Sequence, residues 1–164
     1  MLTSHELFGF MPPTLAAEIL EHSHAHDREL YRATLNAVAN VRKVRAVFLD
    51  KQPRQERHLG MVAYLSRPGM EVAASTMLRG WLFKSHKSLL ADFLDGTGIP
   101  HQDGVVDDLP ESVDDAKLTT AVEAVLAKHP ADVVKVYLHS FNTMNESKWQ
   151  NLDALLKADA RLQF

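Results

Sequence analysis

Three histidines lie close together near the N-terminus, at alternate positions of a short polar run. His22, His24 and His26 fall in a region whose apolar spacing is helical. On a helix, His22 and His26 share one face, and Glu18 lies a further turn back on that face. Imidazoles one turn apart can both bind a transition metal, with a carboxylate completing the site. One interpretation is therefore a divalent metal site formed by His22, His26 and Glu18.

The second interpretation of these histidines is structural. They can be the polar edge of a helix and its turn into the next one, and imidazoles near a helix C-terminus suit the negative end of the helix dipole. We expect this second interpretation, because no partner that would orient the metal ligands can be read from the sequence.

A long stretch without helical periodicity, Gly96 to about Val113, is the next candidate. It contains three of the seven glycines and two of the seven prolines. A loop of this length is usually functional or a flexible linker, and its apolar residues predict an ordered loop lying on the helices. We expect a connector first, then a partner-binding loop, then a metal or acid–base site. The residues of that candidate site are His101, Asp103, Asp107 and Asp108.

Cationic residues are densest between positions 42 and 57. A basic face of this kind can bind a phosphate backbone, an acidic protein or a small anion. The net charge of −3 and the lack of a helix-turn-helix or basic-zipper pattern argue against nucleic acid. The candidate anion-binding residues are Arg42, Lys43, Arg45, Arg54 and Arg57.

The charges as a whole are sorted along the chain. Residues 28–87 hold twelve Lys or Arg and four Asp or Glu, whereas residues 92–115 hold eight Asp or Glu and no Lys or Arg. Such segregation bears on partners and self-association rather than on fold. We expect the acidic block to pair within one chain, as a loop laid against the basic helices around Arg42–Arg57. The alternative is pairing between molecules, as a homodimer or with a charged partner, and in either case salt should weaken the pairing.

The elements that carry these residues are predicted to be helices throughout. Apolar spacing indicates about seven amphipathic helices in a single all-α, bundle-like domain over residues 1–164, with no sheet. Residues 27–48 read as one helix, residues 70–95 as one helix or two, and Asn145 as the N-cap of the last helix. The residues expected to be largely buried are Trp81, Leu82, Phe93, Tyr137, Leu138, Phe141 and Trp149.

No catalytic motif is present. The chain has no cysteine, no Gly-x-Ser-x-Gly elbow and no glycine-rich nucleotide loop, so we predict no cofactor. No apolar run approaches the roughly 18 residues that span a bilayer. We expect a cytoplasmic, non-enzymatic helical domain that acts through contact with a protein partner or as a homo-oligomer, without membrane association. The alternative is a metal-dependent or small-molecule-binding enzyme that uses segment 22–26 and the 96–113 loop, and a nucleic-acid binder through stretch 42–57 comes third.

Overall fold

The computed structural model describes residues 1–164 and consists of ten α-helices without a β-sheet, which confirms the all-α prediction. The number of helices exceeds the predicted seven because short helices and breaks subdivide the segments with periodic apolar residues. The helices are α1 (Ser4–Phe10), α2 (Pro13–His26), α3 (Arg28–Arg42), α4 (Ala46–Asp50), α5 (Arg54–Leu65), α6 (Glu71–Ser85), α7 (Lys87–Thr97), α8 (Asp115–Lys128), α9 (Ala131–Met144) and α10 (Gln150–Ala158), with 3-10 turns at Pro68–Met70 and Ala160–Leu162.

The chain groups into two compact units, each with its own buried side chains. One unit is Thr3–Trp81, and the other is Leu82–Phe164 together with Met1–Leu2. The boundary between the units falls inside helix α6. The expectation of a single domain over residues 1–164 stays a prediction.

Helix starts follow simple capping rules. Pro13 opens α2, where its missing N–H would have had no partner in any case. The Asp27 carboxylate caps α3 by accepting the Leu30 N–H at 3.3 Å, and the Asp114 carboxylate caps α8 in the same way. The sequence predicts Asn145 as the N-cap of the last helix, and this prediction is wrong. Asn145 ends α9 and accepts the Ser147 N–H at 3.0 Å, and α10 begins only at Gln150.

The predicted helix over residues 27–48 is interrupted. Lys43 adopts a left-handed conformation with φ of 56°, and the Val44 N–H reaches back to the Ala39 carbonyl at 3.0 Å. This bond is typical of a Schellman motif that ends a helix. The apolar residues after the break therefore do not continue the buried stripe of α3. The region 70–95 is likewise two helices, α6 and α7, separated at His86.

The predicted core is confirmed with one partial exception. Trp81, Leu82, Phe93, Tyr137, Leu138 and Trp149 are each 5% exposed or less, whereas Phe141 is half-buried. Phe141 still belongs to an aromatic cluster in the Leu82–Phe164 unit. Its ring centroid lies 5.3 Å from that of Phe93 and 5.0 Å from that of Trp149. Such edge-on and tilted pairs stabilise a core beyond the area that they bury.

Candidate functional site

The histidine segment forms the last turns of α2. The ring centroids of His22 and His26 lie 5.0 Å apart, as the one-turn spacing predicts, while Glu18 is exposed. No group of three or more His, Cys, Asp or Glu side chains in the chain is arranged to hold a metal ion. The structure therefore brings two of the three candidate ligands together and supplies no complete ligand set.

A polar cluster on the other side of α2 was not predicted. His24 packs edge-on against Tyr31 of α3, with ring centroids 4.9 Å apart. The Tyr31 hydroxyl lies 2.9 Å from Nε2 of His58 on α5. Nδ1 of His58 in turn lies 3.2 Å from Oε1 of Glu21 on α2. Side chains from three helices thus meet around one imidazole.

Burial determines the charge of this cluster. His58 is 3% exposed, and burial lowers its pKa to about 4, against the opposing effect of Glu21. Burial also lowers the pKa of His24, with help from Arg54. At neutral pH both rings are uncharged. With a proton on Nδ1, facing the carboxylate, Nε2 of His58 accepts the hydrogen bond from the Tyr31 hydroxyl.

Glu21 and His58 line a groove between α1, α2 and α5. Its volume is about 500 Å³. Small residues of the three helices leave the space, and larger apolar side chains with a few polar ones complete the walls. The lining residues are Phe8, Gly9, Met11, Pro13, Thr14, Ala16, Ala17, Glu21, Gln55, His58, Leu59, Val62 and Ala63.

The connection between α7 and α8 turns sharply near its start. Asp103 and Gly104 both have positive φ, 52° and 84°, and Gln102 and Val105 exchange two backbone hydrogen bonds of 2.9 Å. This is the geometry of a type I′ turn, for which Asp-Gly is a preferred pair. The dipeptide was visible in the sequence, so the turn was open to prediction.

The rest of this loop is held by side chains of neighbouring helices. Trp149 donates its indole N–H to the Pro110 carbonyl at 2.9 Å, and Asn151 donates to the Val113 carbonyl at 2.8 Å. His101 accepts the Gly104 N–H on Nδ1, at 3.1 Å, and its Nε2 lies 2.7 Å from the Asp95 carboxylate. The loop is therefore ordered, and both nitrogens of His101 are used to order it.

All four residues of the predicted loop site line one open cleft of about 880 Å³. His101, Asp103, Asp107 and Asp108 are joined there by Lys84 and Lys87. The three aspartates are exposed and form no ion pair. Because the His101 nitrogens already have partners, the cleft offers carboxylates but no free imidazole for acid–base chemistry.

We call the exposed, unpaired part of this region the acidic loop, formed by Asp103, Val105, Asp107, Asp108 and Glu111. Glu111, like the aspartates, is exposed and has no cationic partner. Val105 is 52% exposed in the midst of these acids. The acidic loop thus combines several unneutralised charges with one exposed apolar side chain.

The five predicted anion-binding residues separate into two groups. Arg54 lies 3.1 Å from the Glu21 carboxylate, and Arg57 donates to the Asp50 carbonyl at 3.2 Å. The guanidinium of Arg42 lies over the Tyr64 ring, 5.6 Å from its centroid. These three arginines are occupied within the chain. The other two, Lys43 and Arg45, are not.

Lys43, Arg45 and Lys51 are exposed, and no carboxylate pairs with them. Three apolar side chains of the same stretch are also exposed, one before the break at Lys43 and two after it. Val41 is 46%, Val47 47% and Phe48 59% exposed. We call this set the basic surface: Val41, Lys43, Arg45, Val47, Phe48 and Lys51.

Comparison with protein families, with curated proteins and with solved structures finds no match to this chain. None of its helices combines the length and the apolar character needed to cross a membrane. Function must therefore be inferred from the groove, the acidic loop and the basic surface themselves.

Proposed function

We propose that this protein is a non-enzymatic helical domain that acts through protein–protein contact, and that its partner is a second copy of the same chain. The basic surface of one copy meets the acidic loop of another. Repeated head to tail, such a contact forms open chains of molecules, or closed rings where its geometry permits.

The observation that carries this proposal is the exposure of Phe48 on the basic surface. A single exposed apolar residue is ordinary. Here an aromatic ring and two valines, close together in the sequence, are exposed among three cations that have no partner. An apolar centre with a charged rim is the usual anatomy of a protein interface.

The second copy is favoured as partner because the chain itself presents the complementary chemistry. The acidic loop carries four exposed, unpaired carboxylates around the exposed Val105. Its backbone is already ordered by the bonds to Trp149 and Asn151, so little conformational entropy remains to be lost on binding. Complementary charge of this kind increases the rate of encounter and selects the partner.

The expected association is weak. Exposed ion pairs contribute only about 0–1 kcal/mol each, and the apolar centre is small, so the contact depends on several ion pairs acting together with that centre. Salt should therefore be the most effective means of dissociating the copies.

Sedimentation velocity at increasing protein concentration tests the proposal. In about 20 mM salt the average mass should rise above the 18.4 kDa of one chain. In about 1 M salt, where the Debye length is about 3 Å, it should return to that mass. A chain that stays monomeric at every concentration, or an association that salt does not weaken, would contradict the proposal. Duplex DNA that binds and displaces the second copy would instead favour the nucleic-acid interpretation of stretch 42–57.

A further inference from the structure

The groove between α1, α2 and α5 has the properties of a small-molecule site. We propose that it binds a lipophilic amine, whose apolar body lies along the small residues of the groove and whose protonated amino group meets Glu21. This site is separate from the surfaces proposed for self-association, because none of the groove residues belongs to the basic surface or the acidic loop.

The size and lining of the groove support this inference. Its volume of about 500 Å³ lies within the range of ligand pockets, roughly 300–1,000 Å³. Gly9, Ala17 and Ala63 provide space on three different helices. Apolar walls with few convergent polar groups are the default pattern of a ligand site.

The two ionisable groups of the groove, Glu21 and His58, lie together, whereas the hydroxyl group of Thr14 lies two turns away from Glu21 on α2. Along α5 the lining positions run from Gln55 through His58 to Ala63, and His58 meets Glu21 of α2. The other end of α5 approaches α1, since a Cβ added at Gly9 would lie 3.7 Å from Cβ of Ser66. An elongated ligand with one polar head and one apolar tail matches this order.

Charge determines the kind of head group. Glu21 is the only Asp, Glu, Lys or Arg that lines the groove. His58, whose pKa burial lowers to about 4, is neutral at pH 7. The contacts of Glu21 with Arg54 and His58 are both made by Oε1, at 3.1 and 3.2 Å, which leaves Oε2 to accept from a ligand. An ammonium group supplies the donor for this oxygen and the opposite charge, and it would share the carboxylate with Arg54.

The first experiment compares three probes of equal chain length by NMR titration: n-hexylamine, n-hexanol and hexanoate. The amine should bind most tightly and shift the resonances of Ala17, His58 and Ala63. Lengthening the amine should increase affinity about fourfold per added methylene until the groove is filled. Equal affinity of the three probes, or shifts that fall elsewhere, would overturn the proposal.

Two variants separate the head-group contact from the groove itself. Glu21→Gln should lower the affinity for hexylamine about fivefold and leave that for hexanol unchanged. The matched control is Glu18→Gln, because Glu18 is an exposed carboxylate of the same helix that does not line the groove. Ala63→Leu should abolish binding of both amine and alcohol by filling the groove.

Ala63 is exposed, so its replacement by Leu is expected to leave the fold intact, which circular dichroism checks. Hexylamine that binds Ala63→Leu as well as the unmodified protein would show that the groove is not the site. An equal loss of affinity in Glu18→Gln and Glu21→Gln would show only a general attraction to negative charge.

Discussion

The basic surface and the acidic loop carry opposite charges on different kinds of backbone. The basic surface spans the end of α3 and the short helix α4, on either side of left-handed Lys43. The acidic loop has no regular structure beyond its turn, and the chain around it is held by side chains of α7 and α10 and by Trp149, just before α10. Both nevertheless present charged groups without partners.

The comparison shows that the regularity of the backbone does not decide which apolar side chains are exposed here. The loop region buries Ile99 to 5% exposure, whereas helix α4 buries only Leu49 and leaves Phe48 59% exposed. Regular structure on its own therefore does not bury an apolar side chain. Phe48 therefore packs little against its own chain, and under the proposed self-association its ring would contact the second copy.

The largest effect should distinguish a buried phenylalanine from this exposed one. Phe93 is fully buried, so Phe93→Ala should lower the free energy of unfolding by about 3–5 kcal/mol. Phe48→Ala should change it by no more than about 0.5 kcal/mol and should weaken self-association. Chemical denaturation and sedimentation measure the two quantities. A large loss of stability in Phe48→Ala would mean that this ring supports the fold.

Acidification should affect the unit that carries the basic surface through His58. The pKa of His58 is about 4 in the folded chain and about 6.5 when unfolded, so the unfolded chain binds more protons between these values. The contribution to stability is complete above pH 6.5 and is lost as the pH falls toward 4. In full, this pKa difference contributes about 3 kcal/mol to the free energy of unfolding.

The control for this effect is His58→Gln, which can still accept the Tyr31 hydrogen bond but does not titrate. Its free energy of unfolding should fall less between pH 6.5 and 4 than that of the unmodified protein. Burial also lowers the pKa of His139 in the other unit, so part of the decline should remain. An identical pH profile in the variant would contradict the assignment to His58.

A smaller effect should appear in the acidic loop at Gly104. Its φ of 84° strains any other residue, and an added Cβ would lie 2.7 Å from Cβ of Leu90. Gly104→Ala should therefore destabilise by about 1–2 kcal/mol and increase hydrogen exchange in the loop. Gly69→Ala is the control, because the space around Gly69 is open and its φ is not positive. Equal stability of the two variants would show that the turn is not required.

The helices could be predicted because periodic apolar residues must face a core, and Trp81, Phe93 and Trp149 are buried as the spacing indicates. The break at Lys43 could not be, since Val44, Val47 and Phe48 fit the helical period yet lie after a left-handed residue. Periodicity records which side chains could share a face, and only tertiary packing decides whether they do.

The candidate sites show the same limit. The loop residues His101 to Asp108 are close in sequence, and they do line one cleft. The cluster of Glu21, Tyr31 and His58 joins three helices, and no spacing rule connects positions that lie so far apart along the chain.

Charge reversal on each side of the proposed contact tests the central claim most directly. One variant carries Lys43→Glu, Arg45→Glu and Lys51→Glu, and the other carries Asp107→Lys, Asp108→Lys and Glu111→Lys, which leave the Asp103-Gly104 turn unchanged. Each variant alone should stay monomeric in low salt, because its basic surface and acidic loop then carry like charges. A mixture of the two should associate again. The reversed, now acidic surface of the first variant can pair with the reversed, now basic loop of the second, and the native acidic loop of the first can pair with the native basic surface of the second. Two results would contradict contact between the basic surface and the acidic loop. One is a mixture that sediments only as monomers, and the other is a single variant that associates as the unmodified protein does.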